Sequence, residues 1–275
     1  AACRQGGIVS LVGCVGADDY GLGYLDYLAS QGLNVAGVIQ RSDAATGSAY
    51  VLVNPKGENS IVALGGANGL LTAEDVLSQG AALDSADMVL CQLETTIEAT
   101  IAALQYASAR GKITLLNPSP LHIDFPWGEQ ALDFLIVNER EAAALLGYFV
   151  ENTAAAPRIR GTMANLGVST LIITRGGQPT LAFSAHQALK VPPPAVEVVN
   201  TVGAGDAFAG AFAVHWAQTQ DLLSALRKAN IAGAIATTRP GAQDAIPTRE
   251  EVDAFVARPL TTVTEEATET EAAWS

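Results

Sequence analysis

Short continuous apolar runs alternate along the chain with stretches whose apolar residues recur every three or four positions. "IVSLVGCV" (8–15) is unbroken, as a strand buried on both faces should be. In "LGYLDYLASQG" Leu22, Leu25, Leu28 and Ala29 fall on one helical face, and Gly32 supplies a stop. "SAYVLV" and "SIVAL" alternate on either side of "NPKGEN", where Pro55 and Gly57 predict a hairpin turn. Thr72 to Asp75, "TAED", has the pattern of a capping box opening a short helix. "DMVLCQL" (87–93), "KITLLN" (112–117), "DFLIVN" (133–138), "TLIITRGG" (170–177) and "VEVVN" (196–200) predict further strands. The helical patterns "TIEATIAALQYASARG" and "EREAAALLG" interleave with them, and after residue 198 the chain becomes chiefly helical.

Alternation of this kind implies an α/β fold, a mostly parallel sheet with helices on both faces. Ligands of such sheets sit beyond the carboxyl ends of the strands. Asn117, Asn138 and Thr174 each lie at such an end and are candidates to share one crevice.

Composition narrows the chemistry. The 275 residues are 49% hydrophobic and 16% charged, which is globular, and the net charge of −13 argues against a general binder of nucleic-acid backbone. A small phosphorylated ligand stays open, because a ring of backbone N–H groups holds an anion on an acidic protein. Cys3, Cys14 and Cys91 are odd in number, widely spaced and without a CxxC. They read as reduced core thiols, which suits a cytoplasmic enzyme. No apolar run is long enough for a membrane span. A targeting peptide would lie upstream of Ala1, so the address is not read from this end. The stretch "TTVTEEATETEAAWS" (261–275) has four glutamates and no basic residue, which predicts an acidic, disordered tail.

The candidate chemistry is concentrated in "NTVGAGDAFAGAFAV" (200–214). Gly203, Ala204 and Gly205 would point successive N–H groups out of a helix N-terminus, where unpaired donors and the helix dipole both favour an anion. Asp206 stands beside them as a proton acceptor. Phosphoryl transfer to a hydroxyl needs this pair, donors for the developing charge and a base for the nucleophile. Taken alone, a Gly-x-Gly-Asp is more simply a helix cap. Rival sites lack their residues. Phe208 stands where a dinucleotide fingerprint needs glycine, there is no P-loop and no Gly-x-Ser-x-Gly, and His122, His186 and His215 are scattered singly.

The same stretch resembles the signature of the PfkB family of carbohydrate kinases. "TGSAYVLVNPKGENSIVALGGAN" resembles that family's lid strands and the Gly-Ala-Asn segment after them. "CQLETT", "LLNPSP", "VNERE", "IITRGG" and "TTRPGAQDAIPTREEVDAF" resemble stretches of its ribokinases, in family order to about Phe255. The resemblance implies a ribokinase-like three-layer sandwich over residues 1–258, with a mostly parallel central sheet, a small β lid at about 48–64 and the acidic tail from 259 to 275. It implies ATP-dependent phosphorylation of a sugar hydroxyl, ribose first, with Mg²⁺ and a homodimer formed through the lid. Another sugar or nucleoside kinase such as a fructokinase, or a non-catalytic nucleotide-binding relative or fragment, is the alternative.

Residue by residue, the resemblance makes Asp206 the base, with the amides of Gly203, Ala204 and Gly205 as the anion hole. Asn138, Thr174, Arg175, Gly176, Gly177, Gly205 and Asn230 would line the nucleotide. Glu141 would hold the Mg²⁺ region through water, and Glu94 would join Asp206 at the sugar. Asn200, Val202, Ala236, Arg239, Gly241 and Ala245 would surround a monovalent cation such as K⁺. Two of those positions depart from the family, with Asn200 in place of Asp and Ala245 in place of Ser, so a weakened cation site is expected. The family's first strand and Gly-Gly-Lys-Gly-Ala-Asn loop, which carry most sugar contacts, would precede Ala1. The expectation for the chain as given is nucleotide binding with weak hold on ribose, slow ATP hydrolysis, and lid strands with unpaired edges.

Overall fold

The structure, a computed structural model, describes residues 1–53 and 59–256. The turn expected at Pro55 and Gly57 and the acidic tail lie outside the described residues. Two compact units divide the chain, Ile8–Ile113 with Pro118–Phe125 in one, and Ala1–Gly7, Thr114–Asn117 and the chain from Pro126 in the other.

The Ile8–Ile113 unit opens with β1 (Ser10–Gly16), α1 (Asp19–Ser30) and β2 (Asn34–Arg41), and β1 and β2 pair in parallel. β3 (Ser48–Val53) and β4 (Asn59–Leu64) form an antiparallel ribbon. α2 (Ala73–Ser78), α3 (Gly80–Ser85), β5 (Met88–Cys91) and α4 (Ile97–Ala109) complete the unit. Thr72 and Asp75 make the expected capping box on α2. The core gathers Cys14, Ala67, Leu71, Val76, Leu83, Val89, Ala99, Ala103 and Ala107. Burial leaves the Cys91 thiol with a pKa of about 12, so it is inert at neutral pH.

α1 departs from its expected face. Leu25 and Leu28 turn inward, but Leu22 and Ala29 are exposed and Gly21 is buried instead. The helix approaches so closely that a Cβ at Gly21 would strike Gly16 O, so a glycine occupies the contact position a leucine cannot.

The other unit holds β6 (Ile113–Leu116), β7 (Leu132–Asn138), α5 (Glu139–Leu146), α6 (Ala156–Leu166), β8 (Val168–Arg175), β9 (Gln178–Ser184), β10 (Ala188–Val191), α7 (Ala204–Thr219), α8 (Leu222–Thr237) and α9 (Arg249–Val256). Its strands run in the order β10-β9-β8-β7-β6, with β6, β7 and β8 parallel and β9 and β10 antiparallel to their neighbours. β7 and β8 are buried on both faces, which is why "FLIV" and "LII" read as continuous apolar runs. The expected strand 196–200 is not one. After Pro192–Pro194, Val199 N and Asn200 N both donate to Thr237 O at the end of α8, 2.8 and 3.0 Å away, so a helix end takes the ladder's place.

His215 on α7 is buried, its Nε2 3.3 Å from Gln5 Oε1, while Gln5 Nε2 donates to Pro247 O at 2.9 Å. Burial first, then the charges of Lys228 and Arg249, lowers its pKa from 6.5 to about 4. The folded value is depressed, so the unfolded chain takes the proton first. Stability is therefore whole above pH 6.5 and is lost as pH falls toward 4. Urea midpoints measured across that window should fall with pH, and His215→Gln should flatten the slope whatever it does to absolute stability. A slope unchanged in the variant would refute this role.

Candidate active site

Three parallel strand ends meet in the unit built on β6, β7 and β8. Asn117 follows β6 and donates through Nδ2 to Ile136 O of β7 at 2.9 Å, and Thr174 Oγ1 donates to Val137 O at 3.3 Å. Asn138 and Thr174 are register partners across β7 and β8. The sequence-predicted crevice residues are thus brought together.

Asn138 and Glu141 close a reciprocal capping box on α5. Asn138 Oδ1 accepts from Arg140 N and Glu141 N, and Glu141 Oε2 accepts from Asn138 N at 2.8 Å. Their i, i+3 spacing is therefore a cap in this structure, and Glu141 Oε1 is the oxygen it leaves over. Arg175 is spent on an ion pair with Glu139 at 2.9 Å and on Glu151 O at 3.3 Å. Gly176 (φ +55°) and Gly177 form the tight turn between β8 and β9, and a Cβ on either would meet nothing within 4 Å. Open space lies over that turn.

α7 brings the carboxylate. Its side toward β7 is fixed by Phe134, edge-on to Phe212 at 5.1 Å and to Trp216 at 4.7 Å between ring centroids. Its N-terminal end rests on α8, where a Cβ at Gly233 would stand 3.2 Å from Ala204 O. Gly203, with φ +78°, is the N-cap and offers no side-chain oxygen. Ala204 N turns back to Thr201 O at a long 3.3 Å, while the amides of Gly205 and Asp206 are not spent on a cap. Asp206 remains open to solvent at this end but is walled by protein on several sides. Desolvation raises its carboxyl pKa above the ordinary 3.8. A raised carboxylate next to unspent amides can take up a proton while an anion is held beside it.

The remaining predicted residues are placed differently. Asn230 is buried, with Oδ1 accepting from Thr180 at 2.6 Å and Nδ2 donating to Val191 O at 3.0 Å. It pins α8 to β9 and β10, and both its polar ends are used. Thr180, which no sequence signal singled out, is its partner. Glu94 belongs to the other unit, exposed in the turn after β5.

Around the cation position expected from the sequence, Asn200 Nδ2 donates to Gly241 O at 3.0 Å and Asn200 Oδ1 accepts from Val202 N at 3.1 Å. Ala236 and Ala245 are fully buried and bring no side-chain oxygen, and Arg239 pairs with Glu251. A hard cation needs several free oxygens. An N–H donor already takes one of the two acceptor positions of the Gly241 carbonyl, so this oxygen has less left to offer a cation. A cleft of about 620 Å³ lies nearby, lined by Val196, Glu197, Val199, Ile235 and Thr238. Arg239 is the one predicted site residue in its lining.

Residues 1–249 match the pfkB family of carbohydrate kinases. The chain is 36% identical over 217 residues to the ribokinase of Staphylococcus aureus (strain COL), covering 78% of this chain and 71% of that one. It is 30% identical over 258 residues to the deoxyribokinase of Salmonella typhi, covering 93% and 84%. The structure of Arabidopsis thaliana ribokinase complexed with ribose and ATP superposes with a TM-score of 0.84 at 25% identity, over 94% of this chain and 85% of that one. The α/β architecture with its parallel β6–β8 core, the strand-end crevice and the glycine-led α7 agree with these likenesses, and the chain belongs to the PfkB family of carbohydrate kinases.

Proposed function

We propose that this chain transfers the γ-phosphoryl group of ATP to a sugar hydroxyl, with ribose as acceptor and ribose 5-phosphate as product. The observation that carries the reading is Asp206, a carboxylate of raised pKa beside the uncapped first turn of α7. The Arabidopsis relative, solved with ribose and ATP, supports the choice of substrates. The Salmonella deoxyribokinase makes deoxyribose the competing acceptor.

In this reading Asp206 takes the proton of the attacking hydroxyl as its oxygen bonds to the γ-phosphorus and the bond to the β,γ-bridging oxygen breaks. ADP leaves with that electron pair. The first-turn amides of α7 stabilise the charge spread over the transferred group, with no basic side chain required. Asn138, Thr174 and the Gly176–Gly177 turn line the nucleotide, Asn230 holds the wall behind it, and Glu94 recognises the sugar. Glu141 Oε1, a hard oxygen, suits Mg²⁺ held through water, and the ion supplies charge neutralisation on the phosphates when bound. The β3–β4 ribbon serves as the lid that keeps water from the acceptor.

ADP release coupled to ribose, deoxyribose, fructose and adenosine tests the assignment. The highest kcat/KM should belong to ribose, and sugar-independent ADP release alone would defeat the reading.

Asp206→Asn should lower kcat by about 10²–10⁴, the worth of a positioned base, with nucleotide affinity retained. The raised folded pKa means that Asp206 favours the fold below pH 3.8 and costs stability once pH rises through the folded value. The Asn variant should therefore melt no lower than the parent at pH 7, and unchanged turnover would reduce Asp206 to a helix-end residue. The parent's kcat/KM should fall as acid protonates this group, at a higher pH than an ordinary aspartate would set.

Because the Asn200 amide carries no negative charge and already uses one acceptor position of the Gly241 carbonyl, exchanging Na⁺ for K⁺ at constant ionic strength should raise kcat/KM only slightly. Strong saturable K⁺ activation of the parent would contradict that geometry.

A further inference from the structure

The loop that feeds α7 is held by hydrogen bonds rather than by packing. Val198 and Val199 are 59% and 61% exposed, and Thr201 and Val202 are also open to solvent. The cleft lined by Val196, Val199 and Ile235 borders the loop, so on that side it rests against open space. Two main-chain bonds, from Val199 N and Asn200 N, fasten it to Thr237 O at the end of α8. Beyond them the Asn200 side chain takes over. Its Oδ1 accepts from Val202 N at 3.1 Å, which bends the chain toward Gly203, and its Nδ2 donates to Gly241 O at 3.0 Å. Gly203 follows at φ +78° as the N-cap of α7, where a Cβ would stand 3.3 Å from Ala242 O.

The far side of that contact, the 239–247 loop, is firmly seated. Arg239 pairs with Glu251, whose Oε2 also accepts from Thr248 N at 2.8 Å at the start of α9. Arg4 Nη1 donates to Ile246 O at 2.8 Å and Gln5 Nε2 to Pro247 O at 2.9 Å. Ala245 and Ile246 are buried. Gly241 O thus belongs to a fixed loop, and the Asn200 amide passes that position to the segment ending in the α7 N-cap. The body of α7 is enclosed from Ala207 to His215, so the part left to be set is the first turn, where the capping residue has no side-chain oxygen.

We propose that Asn200 is a positioning residue for the phosphoryl transfer: its side chain, bonded to Val202 N and Gly241 O at once, aims the first-turn amides of Gly205 and Asp206 at the transferred group. This rests on the reading of that turn as the phosphoryl site. The two bonds divide the work. A local turn needs only Oδ1, whereas the Nδ2 bond joins residues 41 positions apart and ties the loop to a second element.

Asn200→Ser keeps a hydroxyl that can turn back to Val202 N but is too short for Gly241 O, and Asn200→Ala removes both bonds. Both variants should melt within a few degrees of the parent, because the main-chain bonds to Thr237 O stay. In each, kcat for ribose phosphorylation should fall about fivefold to tenfold, the worth of one hydrogen bond, with the KM values for ATP and ribose little changed. The amide resonances of Gly205 and Asp206 should shift and broaden in the variants, while those of Phe208 to Val214 stay in place. Titrated with inorganic phosphate, the parent should show saturable movement of the Gly205 and Asp206 resonances, at severalfold lower affinity in both variants. Unmoved resonances at Gly205 and Asp206, a raised KM with kcat kept, or phosphate affinity equal to the parent's would overturn the proposal. A full effect in Asn200→Ala with Asn200→Ser like the parent would assign the effect to the local turn and overturn the tether. The resonances need no turnover. A parent that fails to phosphorylate ribose would sink the functional reading, while the amide shifts still decide the tether.

Discussion

The seat of α7 on β7 and α8 is the contact on which the candidate chemistry depends. The helix is apolar nearly all round, with Ala207 to His215 buried without a break. Such a helix has no solvent face to spare and must be enclosed. Alanines and Gly233 let α8 approach to backbone contact, and Phe134 grips Phe212 and Trp216 from the sheet side. Enclosing the body of the helix fixes where its first turn emerges. The unspent amides and the partly desolvated Asp206 are locally unfavourable features, which persist only because the rest of the helix is held so firmly. Stability at one end underwrites strain at the other.

Most polar side chains around the strand ends are already bonded to the protein. Asn138 and Glu141 hold each other, Asn230 holds Thr180 and Val191, Asn200 holds Val202 and Gly241, and Arg175 is neutralised by Glu139. These bonds fix loop geometry before a ligand arrives, so little ordering is left to be done on binding. In the proposed function an acidic chain accepts a polyphosphate through main-chain amides, which are local and directional and need no excess of basic residues.

Much of this was legible in the sequence. The continuous apolar runs gave β7 and β8, the "TAED" box gave the start of α2, and the glycine-led signature placed Asp206 at the start of a buried helix. What the pattern misread shares one cause, since periodicity reports which residues avoid water but not what they meet. "VEVVN" has the composition of a strand yet bonds to the end of α8. Leu22 has helical spacing, but the close approach at Gly21 turns it outward. β2, β9, β10, α3 and α6 passed unremarked, although Pro157 and the Ile159, Met163 and Leu166 spacing mark α6 well enough. The partner of Asn230 had no such mark, because nothing local announces that Thr180 stands across from it, fifty residues away.

Asn200 shows the same limit from the chemical side. By residue type, an Asn in place of an Asp reads as a charge lost and a cation site weakened. In the structure the substitution also brings a donor, and the amide reaches the Gly241 carbonyl that an oxygen-only side chain could approach only through a bridging cation or a water. The loop leading into the glycine N-cap of α7 is tethered to residue 241 by a direct hydrogen bond, and Gly203 lies against Ala242 O at the same place. An ion bridge can exchange with the ions of the solvent, whereas this tether is part of the chain. The first turn of α7, and with it the amides beside Asp206, therefore has one tether that is itself part of the chain.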